Sequence, residues 1–325
     1  MPTLEFRNAI RDALDEELER DETVVFFGED VAAPGGVFNV TKGLYERHGT
    51  ARVFDTPISE LAITGAAFGA AVCGLRPVIE IMFGDFLFLA MDSLANQAAK
   101  YWYLSAEQAS VPLVVRSAVG AGGRFGAIHS QMPTPWFQGI PGLKVVAPAT
   151  PVEAKGLLKA AIRDENPVVF LEHKRLYSVK EESVDDGEAL IPLGSARTVR
   201  AGGDLTLVTV SKSVHDALAA AEELSGDGVE VEVIDLRTLR PLDHDTVRES
   251  VQRTNRLMVV EEGPRTGGWS GEVLGELTET ALEHLDDAWR LTTADAPTPY
   301  SPTLEDAFLP TTEPIIASIR EHLGR

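Results

Sequence analysis

Two residues stand out by type and setting: a glutamate, Glu60, and a histidine, His129. Glu60 follows Asp55-Thr56-Pro57 and opens the run Leu61-Ala62-Ile63-Thr64-Gly65-Ala66-Ala67-Phe68-Gly69-Ala70-Ala71-Val72-Cys73-Gly74. Pro57 suits a first helical turn and Thr56 can cap it, so a helix is expected from about Pro57 to Gly74. Glycine weakens a helix by about 1 kcal/mol relative to alanine, so a run this rich in small residues implies a backbone packed closely against another surface. Two readings of Glu60 stay open. It is either a carboxylate complementing the positive end of its helix, or a carboxyl buried among apolar neighbours, raised in pKa and able to share a proton with a ligand. His129 lies in a loop behind Gly120-Ala121-Gly122-Gly123-Arg124-Phe125-Gly126, at the expected carboxyl end of a strand. Open α/β sheets place ligands there.

Other chemistries lack their patterns. No GxSxG surrounds Ser130, so nucleophilic serine chemistry is unsupported. There is no Walker A motif, and Gly120, Gly122 and Gly123 lack the third glycine of a dinucleotide fingerprint. Cys73 is the single cysteine, which excludes an intrachain disulfide and a cysteine metal cluster. In its Ala/Gly-rich helix it is expected to be a buried, inert thiol.

The elements that must position these residues alternate. Leu4, Ile10, Leu14 and Leu18 give a first amphipathic helix, followed by the strand Val24-Val25-Phe26-Phe27 and then Arg52-Val53-Phe54. After the Glu60 helix come the strand 77–83, a long helix from Phe86 to about Leu104, the strand 112–116, and Leu143-Lys144-Val145-Val146 and 167–171 flanking a helix from Val152 to Arg163. Strands alternating with helices imply parallel sheets covered on both faces. Lys180 to Pro192 has no apolar period and reads as an exposed linker. Beyond it the rhythm resumes with strands at 205–210, 229–234 and 256–260, helices at 214–224 and near 271–285, and a last helix at 313–323. The expected fold is therefore α/β with two doubly wound domains: residues 1–178, a linker at 179–192, and residues 193–325.

The 325 residues include 50 Asp+Glu against 29 Lys+Arg, a net charge of -21. Such a surface repels phosphate backbones and anionic headgroups, so neither nucleic acid nor membrane is an expected partner. No run of about 18 apolar residues occurs, and the start has no apolar signal core. A cytoplasmic location is expected.

Specific motifs then connect these features. Phe26-Phe27-Gly28-Glu29-Asp30-Val31, Gly35-Gly36-Val37-Phe38, Val53-Phe54-Asp55-Thr56-Pro57-Ile58-Ser59-Glu60, Ile128-His129-Ser130-Gln131, Pro141-Gly142-Leu143-Lys144-Val145-Val146 and Glu230 to Leu239 occur in that order. In these the chain closely resembles, over nearly its whole length, the β subunit of the decarboxylating component of 2-oxoacid dehydrogenase complexes, the pyruvate, branched-chain and acetoin dehydrogenase β family of transketolase-like enzymes. The resemblance implies a pyrimidine-binding domain followed by a transketolase C-terminal domain. It also implies thiamine diphosphate shared with an α subunit that holds the diphosphate through Mg²⁺, in an α₂β₂ heterotetramer that passes its acyl group to a lipoyl acyltransferase. A diphosphate motif is then not expected here. Gly226-Asp227-Gly228 with Asn255 resembles one, but it joins a helix to a strand, the reverse of the motif's order, and reads as a turn.

Carried over residue by residue, the family's activating glutamate falls on Glu60. It would hydrogen-bond the pyrimidine nitrogen and favour the imino tautomer that deprotonates the thiazolium carbon. Phe86 matches the aromatic residue stacked on the pyrimidine, and Glu29 a second acid at that end. His129 matches the histidine that meets the 2-oxo substrate and assists acyl transfer. Leu113, Ala161, Ile162, Asp164 and Asn166 resemble a structural potassium site, since carbonyls at a helix end suit hard cations. Glu283, Asp286 and Asp287 are candidates for docking a basic acyltransferase domain. The chain departs from relatives at Ala106-Glu107-Gln108 and, beside His129, at Met132-Pro133-Thr134-Pro135. Acetoin cleavage and a non-catalytic scaffold subunit remain the alternatives.

Overall fold

The computed structural model describes residues 3–182 and 190–324. In the chain's first half follow β1 (Thr3–Glu5), α1 (Phe6–Arg20), β2 (Val24–Gly28), α2 (Leu44–His48), β3 (Val53–Asp55), α3 (Glu60–Val72), β4 (Arg76–Phe83), α4 (Ala99–Leu104), β5 (Val114–Val119), α5 (Thr134–Gln138), β6 (Lys144–Val146), α6 (Pro151–Arg163), β7 (Val168–His173) and β8 (Lys180–Glu182). The second half holds β9 (Arg197–Arg200), β10 (Leu205–Thr209), α7 (Lys212–Gly226), β11 (Val231–Asp235), β12 (Thr238–Arg240), α8 (His244–Thr254), β13 (Arg256–Pro264), α9 (Ser270–Thr280), β14 (Asp287–Thr293), α10 (Pro302–Phe308) and α11 (Thr312–His322).

Two compact units result. One takes the described residues up to Val119 and from Trp136 to Leu193; the other takes Gly120–Pro135 and Gly194 onward. The glycine-rich segment with His129 thus clusters with the second unit, although it directly follows a strand of the first.

In the first unit the strands run β6-β7-β5-β4-β2-β3, each parallel to its neighbour. Their near-continuous apolar runs are those of strands covered on both faces. α1 and α6 close one face over Phe26, Val78, Val114 and Phe170, with Ile10, Leu14, Leu157 and Ile162 fully or almost fully buried. Each buried side chain of that size contributes roughly 1.5–3 kcal/mol. The second unit has the order β14-β13-β10-β11-β9, parallel except for the antiparallel edge strand β9. Its core joins α7 and α11 to that sheet through Ala217, Leu224, Ile315 and Ile319.

Several local expectations change. Residues 180–182, read as linker, pair antiparallel with β1; the remainder of that acidic stretch, 183–189, lies outside the described residues. The long helix expected from Phe86 is broken into a 3-10 turn at Gly84–Phe88, a π-helical stretch at Asp92–Ala98, and α4. Cys73 is exposed, not buried. It sits at the C-cap of α3, whose small side chains present Ala62, Ala66 and Gly69 outward as well.

Candidate functional site

β2 and β3 end side by side, with Gly28 paired to Asp55 on one side and to Glu80 on the other. Gly28 has to be glycine, because a Cβ would stand 2.6 Å from the Glu80 carbonyl oxygen. Beyond the strands the loops are tied together: Thr56 N–H donates to Gly28 O at 2.9 Å, and Ala32 N–H to Asp55 Oδ1 at 2.7 Å. The Thr56 backbone thus extends the strand edge, its hydroxyl caps nothing, and the helix starts three residues later than Pro57, with Ser59 as N-cap and Glu60 as first residue.

This start matters for the chemistry. Glu29 leaves β2 and Glu60 opens α3, both half-buried. Burial, then the charges of Asp30 and Glu60, push the Glu29 carboxyl above its ordinary value, and among the described residues no group acts in the opposite direction. The two acids are close enough for the charge of Glu60 to act on Glu29. Ser59 makes no side-chain cap, so the positive end of α3 faces its own first residue, Glu60. Glu60 is thus half-buried at a polar helix end, and not enclosed by apolar neighbours.

Phe86 belongs to the 3-10 turn after β4 and is half-buried. Phe83 meets it edge-on at 5.9 Å and in turn meets Phe38 at 6.0 Å, so the ring is oriented by other aromatics. The π-helical stretch that follows is pinned at its start by Asp92, which accepts from Asn96 at 2.8 Å and Gln97 at 2.9 Å.

Beneath this edge lies a cluster that sequence reasoning missed. Arg116 of β5, 1% exposed, forks onto Glu172 of β7 at 2.7 and 2.9 Å and reaches Glu80 of β4 at 2.9 Å. Tyr177 donates to Glu172 at 3.0 Å. Burial raises the Glu80 carboxyl; Arg116 opposes that rise and Glu172 reinforces it. The signal was present: charged residues inside apolar strands, Glu80 directly opposite Arg116, and Glu172 two residues along β7 from Arg116's partner Phe170.

His129 is half-buried on the second unit's glycine-rich segment, its N–H pointing to Gly126 O at 3.4 Å. Ser130 beside it is buried.

The potassium set gathers at the C-terminal end of α6. Leu113 O already accepts from Val168 N at 2.8 Å, Ala161 O from Asp164 N at 3.2 Å, and Arg76 donates to Ile162 O at 3.0 Å and Asp164 O at 2.9 Å. Each carbonyl keeps a second lone pair, so the donor chemistry fits a hard cation, with Arg76 sharing two of the oxygens. The Asp164 side chain is occupied by Lys144 and by Asn166.

Gly226-Asp227-Gly228 is a turn from α7 toward β11, and Asp227 pairs with Arg320 at 2.6 Å. Of the three docking acids, Glu283 and Asp286 are exposed, whereas Asp287 is engaged by His322 at 2.8 Å.

Two α/β units, with acids at the carboxyl edge of the first sheet, define the transketolase class of fold. Residues 2–180 match the transketolase pyrimidine-binding domain and residues 194–315 the transketolase C-terminal domain. A solved split-gene transketolase, an inactive β4 tetramer, shares the fold at a TM-score of 0.81 and 21% identity, covering 98% of each chain.

The sequence relatives narrow this class. The chain is 46% identical to the β subunit of acetoin:2,6-dichlorophenolindophenol oxidoreductase of Cupriavidus necator, covering 98% of this chain and 97% of that one. It is 46% identical to a pyruvate dehydrogenase E1 β subunit of Porphyra purpurea, covering 96% and 95%, and 43% identical to the 2-oxoisovalerate dehydrogenase β subunit of Bacillus subtilis, covering 99% of each. The chain belongs to this family of dehydrogenase E1 β subunits.

Proposed function

We propose that the chain, together with an α subunit in an α₂β₂ assembly, decarboxylates a 2-oxo acid, pyruvate or a branched-chain one, with thiamine diphosphate and passes the acyl group to a lipoyl acyltransferase. The observation that carries this reading is the Glu29–Glu60 pair beyond the carboxyl edge of the sheet, where burial and then the charges of Asp30 and Glu60 raise the Glu29 carboxyl. Such a pair suits the ring-nitrogen end of an aminopyrimidine, and the Phe86 ring suits its face. When bound, the cofactor supplies a carbon nucleophile for the 2-oxo group and an electron sink for decarboxylation. Glu60 shares a proton with the pyrimidine nitrogen, and Glu29 keeps the local charge from favouring its loss. His129 donates to the substrate oxygen and assists transfer to the carrier.

Mg²⁺ is assigned to the α subunit, which explains why Gly226-Asp227-Gly228 is only a turn. K⁺ at the end of α6 would be structural. Residues 1–178 and 193–325 are assigned as the cofactor and assembly domains, with Glu283 and Asp286 as a docking face. No helix among the described residues is long and apolar enough to cross a membrane. A reducing cytoplasm fits a chain with one cysteine.

The test is reconstitution with the cognate α subunit, thiamine diphosphate and Mg²⁺, followed by reduction of an artificial acceptor across a panel of 2-oxo acids and acetoin. Glu60→Gln should lower turnover by about 10²–10⁴-fold, the range of a lost proton-transfer group. Comparable turnover in that variant refutes the mechanism. Turnover of acetoin alone favours the second reading, supported by the Cupriavidus necator relative. An assembled complex without turnover on any substrate indicates a scaffold.

A further inference from the structure

The segment carrying His129 has a backbone that few sequences adopt. Positive φ recurs at every second residue: Gly120 (86°), Gly122 (83°), Arg124 (63°) and Gly126 (72°). Left-handed residues in alternation turn successive N–H groups toward one side, forming a concavity that holds an anion. Here the anion belongs to the chain. Glu305 of α10, fully buried, accepts from Gly122 N at 2.9 Å with one oxygen and from Arg124 N at 3.2 Å with the other. The Arg124 guanidinium binds that second oxygen at 2.7 Å, and also Pro302 O at 3.0 Å and Asp306 at 2.7 Å. Ala121 N–H donates to Glu262 at 2.7 Å.

The same stretch is closed on itself. Gly120 N–H donates to Gln131 O at 3.1 Å, so residues 120–131 form a ring that includes His129. Tyr300, just before α10, lies against Gly126, where a Cβ would come within 3.0 Å of its ring. One side of the ring is thus fastened to the start of α10, and His129 sits on the remainder.

We infer that Glu305 is a positioning residue for His129: its carboxylate is the resident anion of a backbone nest, and the ring of residues 120–131 keeps its shape through it. This rests on the proposed function only in taking His129 as the group that meets substrate. Glu305 itself touches no reactant.

The experiment uses the full chain assembled with its α subunit. Glu305→Ala leaves the nest donors unfilled, and turnover should fall about hundredfold, the cost of misplacing a catalytic group by about 1 Å. Apparent affinity for thiamine diphosphate should stay within about twofold, since Glu29, Glu60 and Phe86 are untouched. Formate is small enough to refill the nest, so it should restore turnover roughly tenfold in the variant and leave the wild type unchanged. In a His129→Ala background the same substitution should cost less than about twofold, because its effect runs through His129.

Wild-type turnover in folded Glu305→Ala, or an undiminished loss in the His129→Ala background, overturns the inference. So does failure of formate to restore either turnover or loop protection. If the alanine variant does not fold, Glu305→Gln serves: one oxygen remains, and an intermediate loss is expected, while no loss counts against the role. Tryptic cleavage after Arg124 gives a readout without catalysis, faster in Glu305→Ala and slowed by formate. If the wild-type complex turns over nothing yet cleavage behaves this way, the functional reading fails and the anchoring stands.

Discussion

Two pairs of glutamates belong to the first unit, one inside its sheet and one beyond the ends of its strands, and they are treated in opposite ways. Glu80 and Glu172 lie within the strands, and Arg116 is placed between them, forked on one and singly bonded to the other. Glu29 follows the end of β2 and Glu60 opens α3, and among the described residues no cation shifts Glu29 downward. The interior pair has been neutralised as far as one guanidinium allows, and Tyr177 takes up a further lone pair of Glu172. At the edge the mutual repulsion costs stability once Glu29 is charged. Residues of one type in one unit are thus bound by a guanidinium in one place and left to repel each other in the other.

Removing that arginine should have the largest effect. Arg116→Met leaves two buried carboxylates facing each other and should destabilise the chain by about 3–5 kcal/mol in urea unfolding. A change under about 1 kcal/mol would mean that the interior pair resembles the edge pair after all.

Gly28→Ala ranks next. Its Cβ would meet the Glu80 carbonyl at 2.6 Å, so the end of β2 must shift and carry Glu29 with it. About 1–3 kcal/mol of stability should be lost, with weaker thiamine diphosphate binding in titration; unchanged binding would detach Glu29 from the site.

The smallest effect belongs to Glu29→Gln. Because its folded pKa is raised above the ordinary 4.5, Glu29 favours the fold at pH below that value, and the contribution is lost as pH climbs through the raised one. The variant should lose this dependence and be more stable near neutrality by about 1 kcal/mol or less, as suits a half-exposed group. Melting temperatures across about pH 4–8, which spans the ordinary carboxylate value and the range above it, report this, and parallel curves for variant and wild type would contradict the assigned shift.

Much of this sheet was legible because its strands are uninterrupted apolar runs and α1 and α6 carry clear helical stripes. Where a helix starts, breaks or turns its face was harder to read. Thr56-Pro57 has the chemistry of a helix start, yet Thr56 N–H is captured by Gly28 O, a contact made only once β2 and β3 are adjacent. In α3 small residues occupy every side, so no stripe tells which face is outward, and Cys73 was assigned to the wrong one. The π-helical stretch at Asp92–Ala98 differs from an α-helix by a small change of pitch that apolar spacing does not resolve. Of the candidate residues, Glu60 and His129 are singled out by motif. Glu305 is not, because it bonds to Gly122 across 183 residues of chain, and no motif in Thr303-Leu304-Glu305-Asp306 marks it.

The outward-facing end of α3 has a practical consequence. Cys73 is the chain's single thiol, it is exposed, and it terminates the helix that Glu60 begins, about 20 Å away at 1.5 Å per residue. One maleimide dye would therefore label the unmodified chain at a single known point, within energy-transfer range of a fluorescent cofactor analogue. Because the neighbouring Ala66 and Gly69 offer no bulk to shield it, the rate of that labelling is itself a gauge of whether another subunit has covered the helix.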